Sequence, residues 1–138
     1  MAEPQRVSVD IEVRYKETDQ MGVVHHANFL VWFELARTAL CRLTGHPYAE
    51  IERAGFLLIV AGAELRYRQP ARYGDTVAVA CWVDRLESRR MRFAYEVRRD
   101  EELLVSGTTD HIWVDAGTRR SCRIPGLVAD ELRRLAGA

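Results

Sequence analysis

The sequence predicts an α+β domain in which a five-stranded antiparallel sheet wraps around one long central helix. Three observations carry that expectation. Five runs read as strands, and those at 7–15 and around Met91–Val97 alternate apolar and polar residues at the period of a half-buried strand. The stretch 28–44 is apolar over too much of its circumference to be a solvated helix. The order is strand, helix, then four strands joined by short segments, which suits a meander with one face in need of cover.

The first strand is expected over 7–15, VSVDIEVRY, where Val7, Val9, Ile11, Val13 and Tyr15 alternate with polar partners. A polar stretch with Gly22 follows, then VVHHAN at 23–28. In the helix, Glu34, Arg37, Thr38 and Arg42 form a narrow polar stripe. Phe29, Leu30, Trp32, Phe33, Leu35, Ala36, Leu40 and Leu43 cover the remainder, so most of its surface must be buried. Asn28 is a candidate N-cap, with His26 and Ala27 as alternatives. Gly45 suits the position after the helix, and Pro47 prevents its continuation. Residues 46–55 read as a polar connection. Further strands are placed near 57–69, 75–86, 89–99 and 103–115. Tyr73-Gly74-Asp75, Leu86–Ser88 and Asp100–Glu102 are short enough for hairpin turns. The tail, IPGLVADELRRLA, has Pro125 at a first-turn position and a short amphipathic pattern. No repeat or linker divides the chain, so residues 1–138 are expected to form one domain.

The chain has 138 residues, with 20 basic and 20 acidic side chains and a formal net charge of zero. All but one of the basic residues are Arg, Lys16 being the only lysine. This balance argues against a general nucleic-acid binder, which carries a basic surplus. It also leaves self-association open, because charge repulsion is weak. The N-terminal residues lack the pattern of a secretory signal, and no apolar run is long enough to cross a bilayer. Cys41, Cys81 and Cys122 are far apart and not in zinc-site spacing. Reduced thiols and a cytoplasmic location are therefore expected, with no metal site and no membrane insertion.

The segment from Tyr15 to Phe29, YKETDQMGVVHHANF, resembles the hotdog-fold acyl-CoA thioesterases, in particular the 4-hydroxybenzoyl-CoA thioesterase and YbgC-like branch. That pattern has an aromatic residue, two variable positions, then Thr/Cys-Asp, two more residues, Gly-hydrophobic-Val, and a His-containing stretch opening the helix. FELART at 33–38 and LRYRQPARYGDTVAV at 65–79 resemble the same branch. The resemblance implies that Asp19 is the catalytic carboxylate and that the backbone N–H at His26 polarises the thioester carbonyl. It makes the His26 side chain a second catalytic candidate and puts Tyr15 beside the site. Leu58, Ile59 and Val60 would line an acyl pocket shared across a dimer interface. Arg89 and Arg90 would meet the phosphates of CoA. Two departures stand out: Glu17 replaces a frequent Asp, and His25 replaces a frequent aromatic, so His25 is a candidate pocket wall. The resemblance further implies a homo-oligomer, a dimer at least and a tetramer by expectation, acting on an acyl-CoA or acyl-carrier-protein thioester without any cofactor beyond the CoA of the substrate.

The chemistry agrees with so small a set of residues. Thioester hydrolysis needs a base or nucleophile, stabilisation of the oxyanion, and departure of a thiolate. A carboxylate serves the first need, and a helix N-terminus with unpaired N–H groups serves the second. A thiolate with a pKa near ~8.5 leaves without a strong acid. Each residue also has an ordinary structural reading. Asp19 would form the turn before the helix, Glu34 would pair with Arg37 at i,i+3, and the Arg cluster at 89, 90 and 92 would solvate a strand edge. Phe29, Trp32 and Phe33 are read as core, and Glu34 as the second choice of catalytic carboxylate. The rings of His25 and His26 are expected to diverge, which would make them a poor metal site. A non-catalytic acyl-thioester binding module and a hotdog hydratase or dehydratase are the alternative functions.

Overall fold

A computed structural model describes residues 2–138. The elements run β1 (Val7–Glu12), a 3-10 turn at Tyr15–Glu17, α1 (Asn28–Arg42), α2 (Tyr48–Arg53), β2 (Phe56–Tyr67), β3 (Thr76–Leu86), β4 (Arg90–Arg99), β5 (Glu102–Asp115) and α3 (Gly126–Ala136). One five-stranded antiparallel sheet has the order β1-β3-β4-β5-β2.

The α+β hotdog arrangement is present, but the expected five-strand meander is not. Only β3, β4 and β5 follow one another as hairpins. β2 lies at the far edge against β5, and β1 lies at the other edge against β3. The segment Tyr73-Gly74-Asp75 is therefore no hairpin turn between neighbours. It ends a crossing of the sheet by residues 68–75. Arg68 and Gln69 donate their N–H groups to the Leu104 carbonyl in β5, whereas Gly74 N–H donates to Val13 O and Val13 N–H to Asp75 O just past β1. Strand β1 also stops three residues short of Tyr15. Arg14 N–H turns aside to the Glu17 carboxylate at 2.8 Å, and the chain enters the 3-10 turn. The segment 46–55, read as a polar connection, contains the short helix α2, which buries Ile51.

The inner face of the sheet follows from alternation. Val77, Val79, Cys81 and Val83 of β3 are buried, as are Met91, Phe93, Tyr95 and Val97 of β4. Against them lie Phe29, Trp32, Phe33, Ala36, Leu40 and Cys41 of α1. The reading of Phe29, Trp32 and Phe33 as core is borne out. Register shifts between Val60 and Gly62 and between Val83 and Arg85 mark β-bulges, which bend a sheet and raise its twist. Phe33 stacks flat on Tyr95, with ring centroids 4.1 Å apart. This close approach requires Gly107, because a Cβ there would lie 2.7 Å from the Glu64 carbonyl oxygen and 2.8 Å from Phe33 Cε2.

A polar chain runs through this core. Arg37 Nη1 donates to Tyr95 Oη at 3.0 Å, Tyr95 Oη meets Thr109 Oγ1 at 2.6 Å, and Thr109 Oγ1 meets His111 Nε2 at 2.8 Å. Tyr95 and His111 are each 1% exposed. Burial, helped by the Arg37 charge, pushes the His111 imidazole down to about 4 from 6.5. The unfolded chain thus binds a proton at His111 that the folded chain refuses between pH 6.5 and about 4. Stability from this group is full above that window and falls as pH drops through it, by about 3 kcal/mol in all. Urea unfolding at pH 7 and 4.5 should show a larger loss for the wild type than for His111→Gln. Equal losses would contradict the assignment.

Candidate active site

The segment between β1 and α1 is a closed turn stitched to the rest of the protein by its backbone. Thr18 and Val24 form an isolated antiparallel bridge. Inside it, Asp19 N–H donates to Val23 O, and Gly22 N–H donates back to Asp19 O. Gly22 has φ +78°, a conformation that favours glycine. Asp19 Oδ1 accepts the Met21 N–H at 2.8 Å, so one carboxylate oxygen does form the turn, as the ordinary reading expects. Asp19 Oδ2 has no hydrogen-bond partner among the described residues and is available to a ligand.

Beyond the turn the chain is tied at both sides. Val24 N–H donates to Ala71 O, and His25 N–H donates to Glu17 O. Asn28, a candidate N-cap, does not cap the helix with its side chain. Its Nδ2 donates to Glu17 O at 2.8 Å, and the N-cap position is Ala27. Ala27 N–H donates to His25 Nδ1 at 3.2 Å, and Asn28 N–H to His25 O. Between Val24 and Asn28 the His26 N–H alone donates to no described residue. An unpaired N–H two residues before a fifteen-residue helix is a donor with the helix dipole behind it.

The His25 and His26 rings do not diverge; they stack with centroids 4.2 Å apart. Adjacent side chains meet here because both residues lie in the turn before the helix, not in extended strand. Among the described residues no group of three or more His, Cys, Asp or Glu side chains is gathered for a metal ion. His26 also faces Tyr67 edge-on, and Tyr67 Oη donates to His26 O at 3.2 Å. A cleft of about 270 Å³ opens beside His26, walled by Val23, Phe29, Tyr67, Pro70 and Ala71. Tyr15 is exposed and packs edge-on against Tyr73.

Glu17 carries more than the sequence suggested. Its side chain is 3% exposed and accepts Arg14 N–H, Arg14 Nη2 at 3.3 Å and Trp32 Nε1 at 2.8 Å. Burial alone would raise its carboxyl. The Arg14 N–H, the Arg14 guanidinium and the Trp32 indole together outweigh burial and hold it below the usual carboxylate range. Glu17 therefore fastens the turn to α1.

The remaining candidates fall in two other places. Leu58 is half-buried, with its N–H bound to Tyr48 Oη at 2.8 Å, while Ile59 and Val60 are exposed. They lie on β2, which pairs only with β5 and so leaves one edge open. Arg90 joins Arg85 and Arg92 around a cleft of about 290 Å³ at the two bulges, opposed by Glu87 and Asp110. Arg89 turns the other way, donating to Ser121 O at 3.0 Å. Glu34 makes no ion pair with Arg37, whose guanidinium reaches inward to Tyr95. Among the described residues no helix is long and apolar enough to cross a membrane.

The chain resembles known proteins in sequence and in fold. Over 77% of this chain and 78% of its own, the Bacillus subtilis protein YneP, provisionally named an acyl-CoA thioesterase, is 41% identical. The hypothetical protein TT1821 from Thermus thermophilus superposes with a TM-score of 0.89 at 39% identity, covering 93% of this chain and 98% of that one. A DHNA-CoA thioesterase from Staphylococcus aureus superposes with a TM-score of 0.82 at 33% identity, covering 86% and 80%. Residues 13–133 match the model of the thioesterase-like superfamily, and the chain belongs to that family.

Proposed function

We propose that the protein hydrolyses an acyl-CoA thioester to a carboxylic acid and free CoA, with Asp19 and the His26 N–H as the working pair. The observation that carries this reading is local. One oxygen of Asp19 is fixed by the turn and the other is unpartnered, while the chain just past that turn offers an unpaired N–H at His26 ahead of α1. As general base, Asp19 would take a proton from water as the water oxygen bonds to the thioester carbon. As nucleophile, it would bond to that carbon itself and be released by water. In both routes the C–S bond breaks, and the thiolate leaves with the electron pair and is protonated. The carbonyl oxygen becomes anionic on the way, and one well-placed N–H donor is worth roughly 2.7–4 kcal/mol there. Of the roles open to the His26 side chain, the stacked ring with no hydrogen bond of its own supports contact with substrate at the cleft wall.

In the cleft of Arg85, Arg90 and Arg92, Arg85 and Arg90 are suited to the phosphates of CoA, because guanidinium groups bind phosphate oxygens in pairs, whereas Arg92 is already paired with Asp110 at 2.7 Å. Arg89, tied to Ser121, is less free for this. No cofactor is needed, and three free thiols are in keeping with a reducing compartment such as the cytoplasm, which cell fractionation tests. The test of the activity is thiol release from a panel of acyl-CoA thioesters, with adenosine 3′,5′-bisphosphate as competitor. Hydrolysis inhibited by the nucleotide is expected. Saturable binding of acyl-CoA with no turnover of any member would favour a binding module instead.

The open edge of β2 points to a two-fold dimer joined strand to strand, which removes the exposed edge. Ile59 at 43% and Val60 at 51% exposure on β2, with Val31 and Leu35 on α1, are the apolar residues such pairing would cover. Ile59→Asp should move the protein to monomer in sedimentation equilibrium and cut activity at least tenfold. A monomeric wild type with full activity would rule the dimer out. A tetramer is a further step of the same kind, read in that same experiment.

A further inference from the structure

A lone N–H stabilises a developing oxyanion only if its peptide is held in place beforehand, because a donor that must reorient during the reaction loses its advantage over water. The groups around the His26 N–H are held one by one. His25 O accepts the Asn28 N–H at 3.0 Å, and the Ala27 N–H donates to His25 Nδ1 at 3.2 Å. Both of these bonds stay inside the same short segment. The hydrogen bond to the His26 backbone itself comes from elsewhere in the fold: Tyr67 Oη donates to His26 O at 3.2 Å. Among the described residues no other group bonds the His26 backbone.

The sheet fixes where Tyr67 stands. It is the last residue of β2 and pairs with Val105 of β5, and the next two N–H groups, of Arg68 and Gln69, are tied to Leu104 O. Its ring meets Phe29 edge-on with centroids 5.8 Å apart, and Phe29 is in turn buried against Trp32. Further along the same segment, Ala71 O accepts the Val24 N–H at 2.8 Å. Residues 67 and 71 thus grip the entry to α1 at two points, one on either side of His25. The Tyr67 hydroxyl is not required for burial, because the side chain is 52% exposed and water could satisfy it. Its bond to His26 O is long for a hydroxyl donor, as bonds at reacting sites often are before substrate closes on them. The His26 C=O and N–H share one Cα, so releasing the first lets φ and ψ drift and swings the second. A displacement of about 1 Å at a reacting centre can cost a hundredfold.

We propose that Tyr67 is a positioning residue for thioester hydrolysis, its hydroxyl holding the His26 carbonyl and thereby aiming the His26 N–H at the carbonyl oxygen of the substrate. The inference rests on the thioesterase reading above and adds to it a residue outside the segment that carries Asp19 and His26.

The experiment compares wild type, Tyr67→Phe and Tyr67→Leu on the best thioester of the acyl-CoA panel, with thermal melts alongside. Tyr67→Phe removes the hydroxyl and keeps the ring. It should lower kcat at least tenfold, leave KM within about threefold and melt within a few degrees of the wild type. Tyr67→Leu also removes a wall of the cleft beside His26, so it should add a rise in KM to the same loss of kcat. If Tyr67 is only a wall, Tyr67→Phe behaves as wild type and Tyr67→Leu alone is impaired, which overturns the inference. A second readout follows the donor itself. A dethia analogue of the substrate, with CH2 in place of the thioester sulfur and a 13C-labelled carbonyl, is bound and its C=O stretch is read by infrared difference spectroscopy. The stretch should fall on binding to the wild type, and Tyr67→Phe should lose at least about half of that shift. A full shift in Tyr67→Phe, or a rise in KM as large as the fall in kcat, overturns the inference and leaves the thioesterase reading standing. No turnover of any thioester by the wild type overturns both.

Discussion

Asp19→Asn should lower kcat for acyl-CoA hydrolysis at least a hundredfold while leaving the melting temperature within a few degrees of the wild type. The two halves of this expectation come from the two oxygens. Oδ1 holds the Met21 N–H, and an Asn carbonyl oxygen can hold it equally well, so the turn survives. Oδ2 becomes an amide, which neither accepts a proton near neutral pH nor attacks a carbonyl. Base or nucleophile catalysis typically supplies two to four orders of magnitude, and a hundredfold is about 2.7 kcal/mol of barrier. Thiol release by purified wild type and variant, with thermal melts alongside, checks both halves. Activity surviving within tenfold would remove Asp19 from the chemistry. A variant that loses its fold would return Asp19 to the role of turn former. Glu34, the second carboxylate considered, serves as the control. It is exposed on α1 and makes no hydrogen bond among the described residues, so Glu34→Gln should leave kcat close to that of the wild type.

Much of this was legible in the residues because the signals were local. Alternation in VSVDIEVRY and MRFAYEV marks strands one by one, and the apolar stretch 28–44 marks a helix, but its expected burial on most sides does not hold, because Leu30, Val31, Leu35 and Leu43 are exposed. Strand order was not legible in the same way. The pairing of β2 with β5 joins residues some fifty positions apart, and nothing in either strand's alternation names its partner. The signal that could have warned against a meander is the connection at 68–75, too long for a tight hairpin and interrupted by Pro70. Helix α2 was hidden for a different reason: a six-residue helix with one buried apolar residue, Ile51, has no period to detect. Arg37 was misread because a polar stripe on a helix normally faces water, whereas here one member of the stripe turns inward to a buried tyrosine. The motif names Asp19 and His26, and in the fold both lie in the segment between β1 and α1, Asp19 inside the Thr18–Val24 turn and His26 just after it. What the motif could not supply is which N–H is left unpaired, since that depends on Glu17 and Ala71 taking the neighbouring ones.

Glu17 is accordingly where stability and catalysis should fail together. Glu17→Ala removes the acceptor from Trp32 Nε1 in the core and from the Arg14 N–H at the end of β1. A buried donor left unsatisfied costs about 1–3 kcal/mol, and the vacated volume adds to it. The contact with the Arg14 side chain adds little, because that guanidinium is largely exposed. A total near 3 kcal/mol is expected, which lowers the melting temperature of a domain this size by roughly 10 °C. Glu17→Gln should not rescue it, since its amide turns an N–H toward one of the donors that the carboxylate accepts. The lowered carboxyl of Glu17 sets the pH dependence. Its contribution is complete above the unfolded value of 4.5 and is lost as pH falls through the lower folded one. The difference between wild type and Glu17→Gln should therefore be full at pH 7 and shrink below pH 4.5. Glu17 O also receives the His25 N–H and the Asn28 side chain, so loosening this residue moves the entry to α1. An error of about 1 Å at a reacting centre can cost a hundredfold. Below its melting temperature the Glu17→Ala protein should thus retain its α1–sheet core by circular dichroism yet lose at least tenfold in kcat. Full activity in the folded variant would mean that the Asp19 turn holds its shape without this anchor.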